Sequence, residues 1–239
     1  MRDSVFSEVL QSVDLQLRKE CCMKKIFDDI YQTEKQSPFA GMQAYAYYLS
    51  TTNAKVLLYN GGNKSDLAFM EEKGGVGFQM LSHRDEIGEN LLDMKTRFDC
   101  KITCHEKTRD LVEKIVAVDE AITERKLHST NIEIIPTPGH TDGCISFLYH
   151  SPAGNSYLFT GDLISMSSQG WETFIFPGRG ASRADVLTSM QIYRQLSPDI
   201  VVPSGSAEGS PSYFQFTPEE WVDSIDNYIA RLERELGVK

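Results

Sequence analysis

The stretch that decides the fold is PTPGHTDGCISF, residues 136–147. It follows the apolar run NIEII (131–135) and continues into a second apolar run, CISFLYH (144–150). A loop rich in Pro and Gly therefore joins two predicted strands. The loop contains one imidazole, His140, and short loops after strands are where rigid scaffolds present functional side chains. The stretch predicts a β-rich region with His140 held at the end of a strand.

Further polar clusters also stand where predicted strands end. They are Ser82-His83-Arg84-Asp85-Glu86 after VGFQML, His105 after CKITC, and Gly161-Asp162 after SYLFT. Alone, a Gly-Asp turn or a histidine at a strand end is more often structural than functional. Together they supply imidazole nitrogen and carboxylate oxygen, which are ligands that zinc and iron accept. The combination favours a metal site over a set of unrelated structural residues.

Predicted strands and helices interleave along the chain, which indicates an α/β protein with stacked layers. Among them are a strand over residues 42–50, a helix over 106–118, a helix over 182–196 that starts with a Ser cap, and a helix over 217–236 with Pro in its first turn. Apolar residues at three- and four-residue steps predict a helix over residues 4–32. We expect this helix to form an N-terminal extension over residues 1–36, followed by one domain over residues 37–239. The apolar stripe of the helix could equally mediate a homodimer.

The composition argues against nucleic acid and membranes as partners. The 34 acidic residues outnumber the 24 basic ones, for a net charge of -10, which disfavours nucleic acid and anionic membranes. No apolar run approaches the roughly 18 residues that span a bilayer. The N-terminus has no secretory h-region, and the five cysteines, an odd number, include an adjacent pair. We therefore expect a reducing, cytoplasmic location.

The order of these motifs resembles the metallo-β-lactamase fold. That superfamily reads T-H-x-H-x-D-H, then T-P-G-H-T-x-G-S, then F-x-G-D, then P-G-H-G. Here a His/Asp motif, PTPGHTDGCISF, YLFTGDLI and DIVVPSGS follow in the same order over roughly residues 42–206. The resemblance implies a four-layer αββα sandwich, here with an extra N-terminal helix. It also implies a metal site between the edges of the two sheets.

The first family motif is reduced here, and two registers are open. In one register His83 matches the family's first histidine and Asp85 takes the place of the second. In the other, Ile87-Gly88 matches the family's Ile-Gly, His83 is the second histidine, Asp85 is the aspartate, and Glu86 replaces the histidine after it. The last histidine is also absent, since Pro203-Ser204-Gly205-Ser206 stands in its place. We therefore do not expect a full two-metal site.

The residues that remain predict a reduced metal site. We expect His83, Asp85, His140 and Asp162 to bind one divalent ion, zinc or iron, with Glu86 or His105 in reserve. Asp85 or Asp162 would accept the proton of the attacking water.

The segment QGWETFIFPGRGASR, residues 169–183, follows Asp162 closely. By resemblance it lines the mouth of the substrate site. Trp171, Phe174, Phe176 and Arg179 are the expected substrate contacts, and the alternative is that the aromatic residues simply pack on the core.

Three functions are compatible with this reading. The first is a mononuclear metal-dependent hydrolase of a small ester, thioester or lactone. The second is an iron-dependent oxygenase of a thiol or persulfide, a chemistry that the superfamily also contains. The third is a metal-free pseudo-enzyme that serves as a binding or interaction module. We favour the hydrolase, because the motifs around His140 and Asp162 are kept almost whole.

Overall fold

The computed structural model describes residues 23–176 and 178–238. In chain order the strands are β1 (Lys24–Phe27), β2 (Ile30–Gln32), β3 (Met42–Ala44), β4 (Tyr47–Ser50), β5 (Lys55–Leu58), β6 (Phe78–Met80), β7 (Lys101–His105), β8 (Glu120–Ile122), β9 (Lys126–Leu127), β10 (Ile132–Pro136), β11 (Ile145–His150), β12 (Ser156–Gly161), β13 (Ser165–Ser167), β14 (Gly170–Glu172), β15 (Ile200–Pro203), β16 (Gly205–Ala207) and β17 (Phe214–Gln215). The α-helices are α1 (Lys64–Glu72), α2 (Asn90–Phe98), α3 (Arg109–Val112), α4 (Arg183–Tyr193) and α5 (Pro218–Leu236), with 3-10 helices at Arg84–Glu86 and Glu106–Thr108.

Two mixed sheets form the centre of the fold. The first has seven strands in the order β1-β2-β4-β5-β6-β7-β8, and the second has six in the order β17-β15-β12-β11-β10-β9. Within the first sheet, β5 to β8 run parallel, and within the second, β12 and β15 run parallel. Two short ribbons, β13-β14 and β16-β3, complete the strands of the described residues. This is the α/β sandwich that the sequence predicts.

The alternation of side chains along the second sheet explains the layers. In β10, Ile134 belongs to the core shared with the first sheet, whereas Ile135 belongs to a second core against α4 and α5. Phe147 and Leu148 of β11 divide in the same way. Successive strand residues point to opposite faces, so a continuous apolar run buries both faces of the sheet.

The helices at the C-terminal end begin where their capping residues predict. Ser182 caps α4 and accepts a hydrogen bond from the backbone of Asp185, and Thr217 caps α5, which has Pro218 in its first turn. No helix among residues 23–176 and 178–238 is long and apolar enough to cross a membrane.

The helix predicted over residues 4–32 is wrong for its last part, and its first part, up to residue 22, lies outside the described residues. β1 and β2 form an antiparallel hairpin that extends the first sheet beside β4. The turn between them holds Asp29, which accepts hydrogen bonds from the hydroxyls of Tyr149 at 2.5 Å and Ser151 at 2.8 Å. Contacts with the second sheet therefore decide the structure here, since apolar spacing over so short a stretch fits helix and strand alike.

Two other predicted elements differ from the structure. The strand expected over 42–50 is divided, because β3 pairs with β16 while β4 pairs with β2 and β5. The helix expected over 106–118 is helical only to Val112, through a 3-10 turn and α3.

Candidate metal site

The strand ends of both sheets meet at a cavity of about 1050 Å³. His83 follows β6, His140 lies in the loop between β10 and β11, Asp162 follows β12 and Ser204 follows β15, and all four line the cavity. The parallel pairing of β12 with β15 places Asp162 beside Ser204, and the Ser204 amide donates to the Gly161 carbonyl at 2.9 Å. The two histidine side chains are buried, with relative exposures of 3% and 4%.

The ring of His140 is oriented by a backbone carbonyl. Its Nδ1 lies 2.6 Å from the carbonyl oxygen of Phe174, which can only accept, so Nδ1 carries a proton. Its Nε2 lies 3.2 Å from Oδ2 of Asp85. Burial, together with the charge of His83, lowers the pKa of His140 below its ordinary value. In the neutral ring, the lone pair of Nε2 therefore points toward a carboxylate oxygen. The two electron-rich atoms repel each other, and a bound cation would offset that repulsion.

The ring of His83 has the same arrangement. Its Nδ1 lies 2.8 Å from Oγ of Ser82 and 3.3 Å from Oε1 of Glu86, while its Nε2 lies 3.3 Å from Oδ2 of Asp162. Burial lowers the pKa of His83, but the carboxylates of Asp162 and Glu86 outweigh burial and raise that pKa well above its ordinary value. The carboxylates around this ring stabilise a positive charge, which a proton or a metal ion can supply.

One group of side chains among the described residues could hold a metal ion. His83, His140 and Asp162 each offer one ligand atom, and these atoms lie within 4.8 Å of one another. Two imidazole nitrogens and a carboxylate oxygen suit zinc or iron. In both rings Nδ1 faces a protein acceptor and leaves Nε2 for the ion, as is usual for histidine ligands. The residues present therefore fit one metal ion.

Asp85 lies beside this group and does not belong to it. Its Oδ1 contacts the guanidinium of Arg179, and its Oδ2 faces His140. The structure thus groups three of the four expected ligands and places the fourth next to them, in an ion pair.

The remaining polar neighbours hold the ligands in place. Glu86 accepts a hydrogen bond from the Ser82 amide at 2.7 Å and a second from the Ser82 hydroxyl. These bonds hold its carboxylate next to Nδ1 of the His83 ring. The Ser204 hydroxyl donates to Oδ1 of Asp162. Although burial raises the pKa of Asp162, the neighbouring His83 outweighs it and holds that pKa well below the usual range. His105, expected in reserve, instead accepts a hydrogen bond from the Lys107 amide at 3.1 Å and lies outside the group.

The segment after β14 supplies one side of the cavity. Phe174, Phe176 and Arg179 line it, and the Arg179 guanidinium lies 5.3 Å from the centre of the Phe176 ring. Trp171 does not line it. Trp171 is 1% exposed and packs in the second core, where its indole N–H donates to the Ser224 hydroxyl at 3.2 Å. The expectation of a substrate contact at Trp171 therefore does not match its position.

Sequence reasoning missed Tyr59, which ties the ends of two strands together. Its backbone φ is +71°, a value uncommon for a residue other than glycine. Its buried hydroxyl accepts from the Gly161 amide and donates to the Val202 carbonyl, both at 2.9 Å. Tyr59 directly follows β5, so the available signal was its place at the end of an apolar run, the same signal that pointed to His83 and Asp162.

We expect Tyr59→Phe to weaken metal binding as well as stability. The change removes the partner of the Gly161 amide and one donor to the Val202 carbonyl, at a cost of about 1–3 kcal/mol in the free energy of unfolding. Because Gly161 precedes Asp162, zinc affinity should also fall by roughly tenfold, as for other changes to groups that support a metal ligand.

Tyr193→Phe is the matched control, because Tyr193 is equally buried and its hydroxyl bonds to Ser146 Oγ at 2.5 Å. Urea denaturation and titration against a chromophoric zinc chelator measure the two effects. Equal losses of zinc affinity in the two variants would contradict the role of Tyr59.

Comparisons with known proteins agree with this geometry. The metallo-beta-lactamase superfamily model matches residues 49–205, well over half of the chain. The fold is similar to that of a metallo-beta-lactamase from Pontibacter korlensis, at 16% identity over 88% of this chain and 98% of that chain, with a TM-score of 0.65. It is also similar to a subclass B3 metallo-beta-lactamase of Bradyrhizobium japonicum, at 15% identity over 90% of this chain and 93% of that chain, with a TM-score of 0.60.

A third similar structure is a metallo-beta-lactamase of Cronobacter sakazakii described by its HARLDQ motif, at 14% identity over 89% of this chain and 93% of that chain, with a TM-score of 0.62. At these identities the solved structures support the fold alone. The match of the family model covers the strands and loops that carry His83, His140 and Asp162. The chain belongs to the metallo-beta-lactamase superfamily.

Proposed function

We propose that this protein is a hydrolase that binds one divalent ion, zinc or iron, through His83, His140 and Asp162. Its substrate would be a small ester, thioester or lactone. The observation that carries the proposal is the shared arrangement of the two rings: each Nδ1 faces a protein acceptor, and each Nε2 faces a carboxylate oxygen.

The charges around the cavity support a single ion. Asp85, Glu86 and Asp162 bring three negative charges, and Arg179 brings one positive charge. Arg84 is already paired with Asp142 at 2.7 Å. One divalent ion therefore balances the charge, whereas a second would leave an excess of positive charge in a partly buried site.

The side chains can divide the remaining tasks of hydrolysis. A bound ion would lower the pKa of a coordinated water toward roughly 7 and polarise the substrate carbonyl. Asp162 is grouped with the two histidines as a ligand, which leaves Asp85, beside that group, as the carboxylate that would accept the proton of the water. Arg179 contacts Oδ1 of Asp85, and this contact orients the Asp85 carboxylate so that its Oδ2 faces His140.

Metal removal tests the proposal. We expect the purified full-length chain, prepared without a histidine tag, to hold about one equivalent of zinc or iron. Dialysis against a chelator should abolish hydrolysis of 4-nitrophenyl butyrate, and one added equivalent should restore it. Plasma mass spectrometry and absorbance at the nitrophenolate band provide the two measurements.

Three outcomes would contradict the hydrolase. Less than about a tenth of an equivalent after incubation with zinc and iron(II) would favour the pseudo-enzyme. Hydrolysis that survives complete metal removal would exclude the metal-dependent reaction. Oxygen consumption with a thiol or persulfide by the iron-loaded protein, without ester hydrolysis, would favour the oxygenase.

The partner and the location remain predictions that accompany this function. A small molecule fits a cavity of about 1050 Å³. The buried free thiols of Cys100, Cys104 and Cys144 are consistent with the expected reducing cytoplasm.

A further inference from the structure

We propose that the cavity selects an uncharged acyl substrate whose apolar chain or ring packs against Phe39, Phe174 and Phe176. This inference rests on the proposed function, because it names the substrate class of the same site. Three observations carry it: the exposed phenylalanines, the pairing of both arginines in the lining with carboxylates, and the size of the cavity.

The cavity wall carries phenylalanines that the fold does not bury. Phe39 is 70% exposed, Phe174 is 60% exposed and Phe176 is 43% exposed, and all three line the cavity. Phenylalanine is among the residues most often found inside proteins, so three exposed rings around one cavity mark a binding surface. Met42 and Ile87 add further apolar area to the same lining.

The two phenylalanine-bearing segments come from different parts of the chain. Phe39 lies in the connection between β2 and β3, and Phe174 and Phe176 lie between β14 and α4. Core packing therefore does not account for the three rings as one cluster. Their common feature is the cavity that they line.

Outside the metal site, the lining leaves no free cation for a negatively charged acyl group. Apart from the histidines of that site, the basic residues that line the cavity are Arg84 and Arg179. Arg84 bonds to Asp142 at 2.7 Å, and Arg179 is paired with Asp85. An acyl group with its own carboxylate would find both guanidiniums occupied and would face Glu86 and Asp162 as well, so the site disfavours it.

The cavity is also larger than an acetyl group requires. Its volume of about 1050 Å³ lies just above the range for small-molecule sites, about 300–1,000 Å³. A chain of several carbons or an aromatic ring can therefore reach the phenylalanines from the metal ligands. Each methylene buried against them should strengthen binding by about fourfold.

Direct binding tests the inference without relying on catalysis. N-phenyl-1-naphthylamine, an uncharged apolar fluorophore, should bind the full chain and be displaced by octanamide at least tenfold more effectively than by octanoate. The variant Phe39→Ala/Phe174→Ala should bind the fluorophore at least tenfold more weakly. Leu127→Ala is the matched control, since Leu127 is 69% exposed on β9 and lies outside the lining. Circular dichroism checks that the variants fold.

A series of esters provides the second measurement. From 4-nitrophenyl acetate to the octanoate, kcat/KM of the metal-loaded protein should rise by about fourfold per methylene until the cavity is filled. The 4-nitrophenyl monoester of succinic acid should be hydrolysed at least tenfold more slowly than the butyrate. In Phe39→Ala/Phe174→Ala the dependence on chain length should flatten.

The two measurements separate the two proposals. Selective binding of the fluorophore and octanamide, with no ester hydrolysed in any metal state, would overturn the hydrolase and support the apolar, uncharged ligand. Metal-dependent hydrolysis that is indifferent to chain length, or that favours the succinate monoester, would overturn the substrate class and support the hydrolase. Preferential displacement by octanoate would likewise overturn the inference.

Discussion

The double variant His83→Ala/His140→Ala is expected to lose more than about 100-fold in zinc affinity, because a single supporting group alone contributes about 10–100-fold. The change removes two of the three grouped ligands and leaves only Asp162, whose carboxylate cannot hold the ion alone. Competition with a chromophoric chelator measures the affinity, and plasma mass spectrometry measures the metal that remains after purification.

Controls separate metal binding from folding in this experiment. His150→Ala removes an exposed imidazole and should leave the zinc affinity unchanged. His83 lies between the carboxylates of Glu86 and Asp162, so its loss leaves buried charges unpaired and can cost about 3–5 kcal/mol of stability. The single variant His140→Ala avoids that cost and should still lose the ion. Wild-type affinity in a folded His140→Ala variant would remove this residue from the ligand set.

Gly161→Ala is expected to produce a large loss of stability without removing any polar group from the site. Gly161 has φ of +59°, which costs an alanine roughly 1–2 kcal/mol. A Cβ atom there would also lie 2.8 Å from Cβ of Ser82, and such overpacking costs typically about 1–3 kcal/mol. We therefore expect a loss of about 2–5 kcal/mol in the free energy of unfolding, measured by urea denaturation.

Gly209→Ala separates the two causes. Gly209 also has a positive φ, +82°, but nothing lies within 4 Å of the position that a Cβ would take. Gly209→Ala should therefore lose only the part of the stability that the positive φ costs an alanine, roughly 1–2 kcal/mol in the free energy of unfolding. If both variants lost the same stability, close packing against Ser82 would not be the reason for glycine at position 161. Because Ser82 contacts His83, Gly161→Ala should also weaken zinc binding.

The central strands and the capped helices could be predicted because their signals are local. NIEIIP and CISFLYH become β10 and β11, and Ser182 and Thr217 start α4 and α5 as expected. Short strands could not be predicted in this way. β16 has three residues and exists through its pairing with β3, from the other end of the described chain. Such a pairing depends on how the two sheets meet, so neither segment carries a periodic pattern of apolar residues that would predict it.

The candidate site, too, could be predicted from the sequence only where the signal is local. His83, His140 and Asp162 stand at the ends of apolar runs, so their meeting at one edge follows from the arrangement of the strands. The pairing of Arg179 with Asp85 depends on the path of an irregular segment. That path has no sequence signal beyond its aromatic and glycine content. Whether Asp85 also acts as a ligand remains a prediction.

The segment that carries Phe174 and Arg179 is attached to the site at three points. The Phe174 carbonyl contacts His140, the Arg179 guanidinium contacts Asp85, and the Arg179 carbonyl accepts from the Asp142 amide at 3.2 Å. Under the proposed function, metal binding and ligand binding at this rim would therefore be thermodynamically linked, and such coupling is reciprocal. A ligand that contacts the rim and favours these three contacts would tighten metal binding by the same factor by which the metal tightens the binding of that ligand.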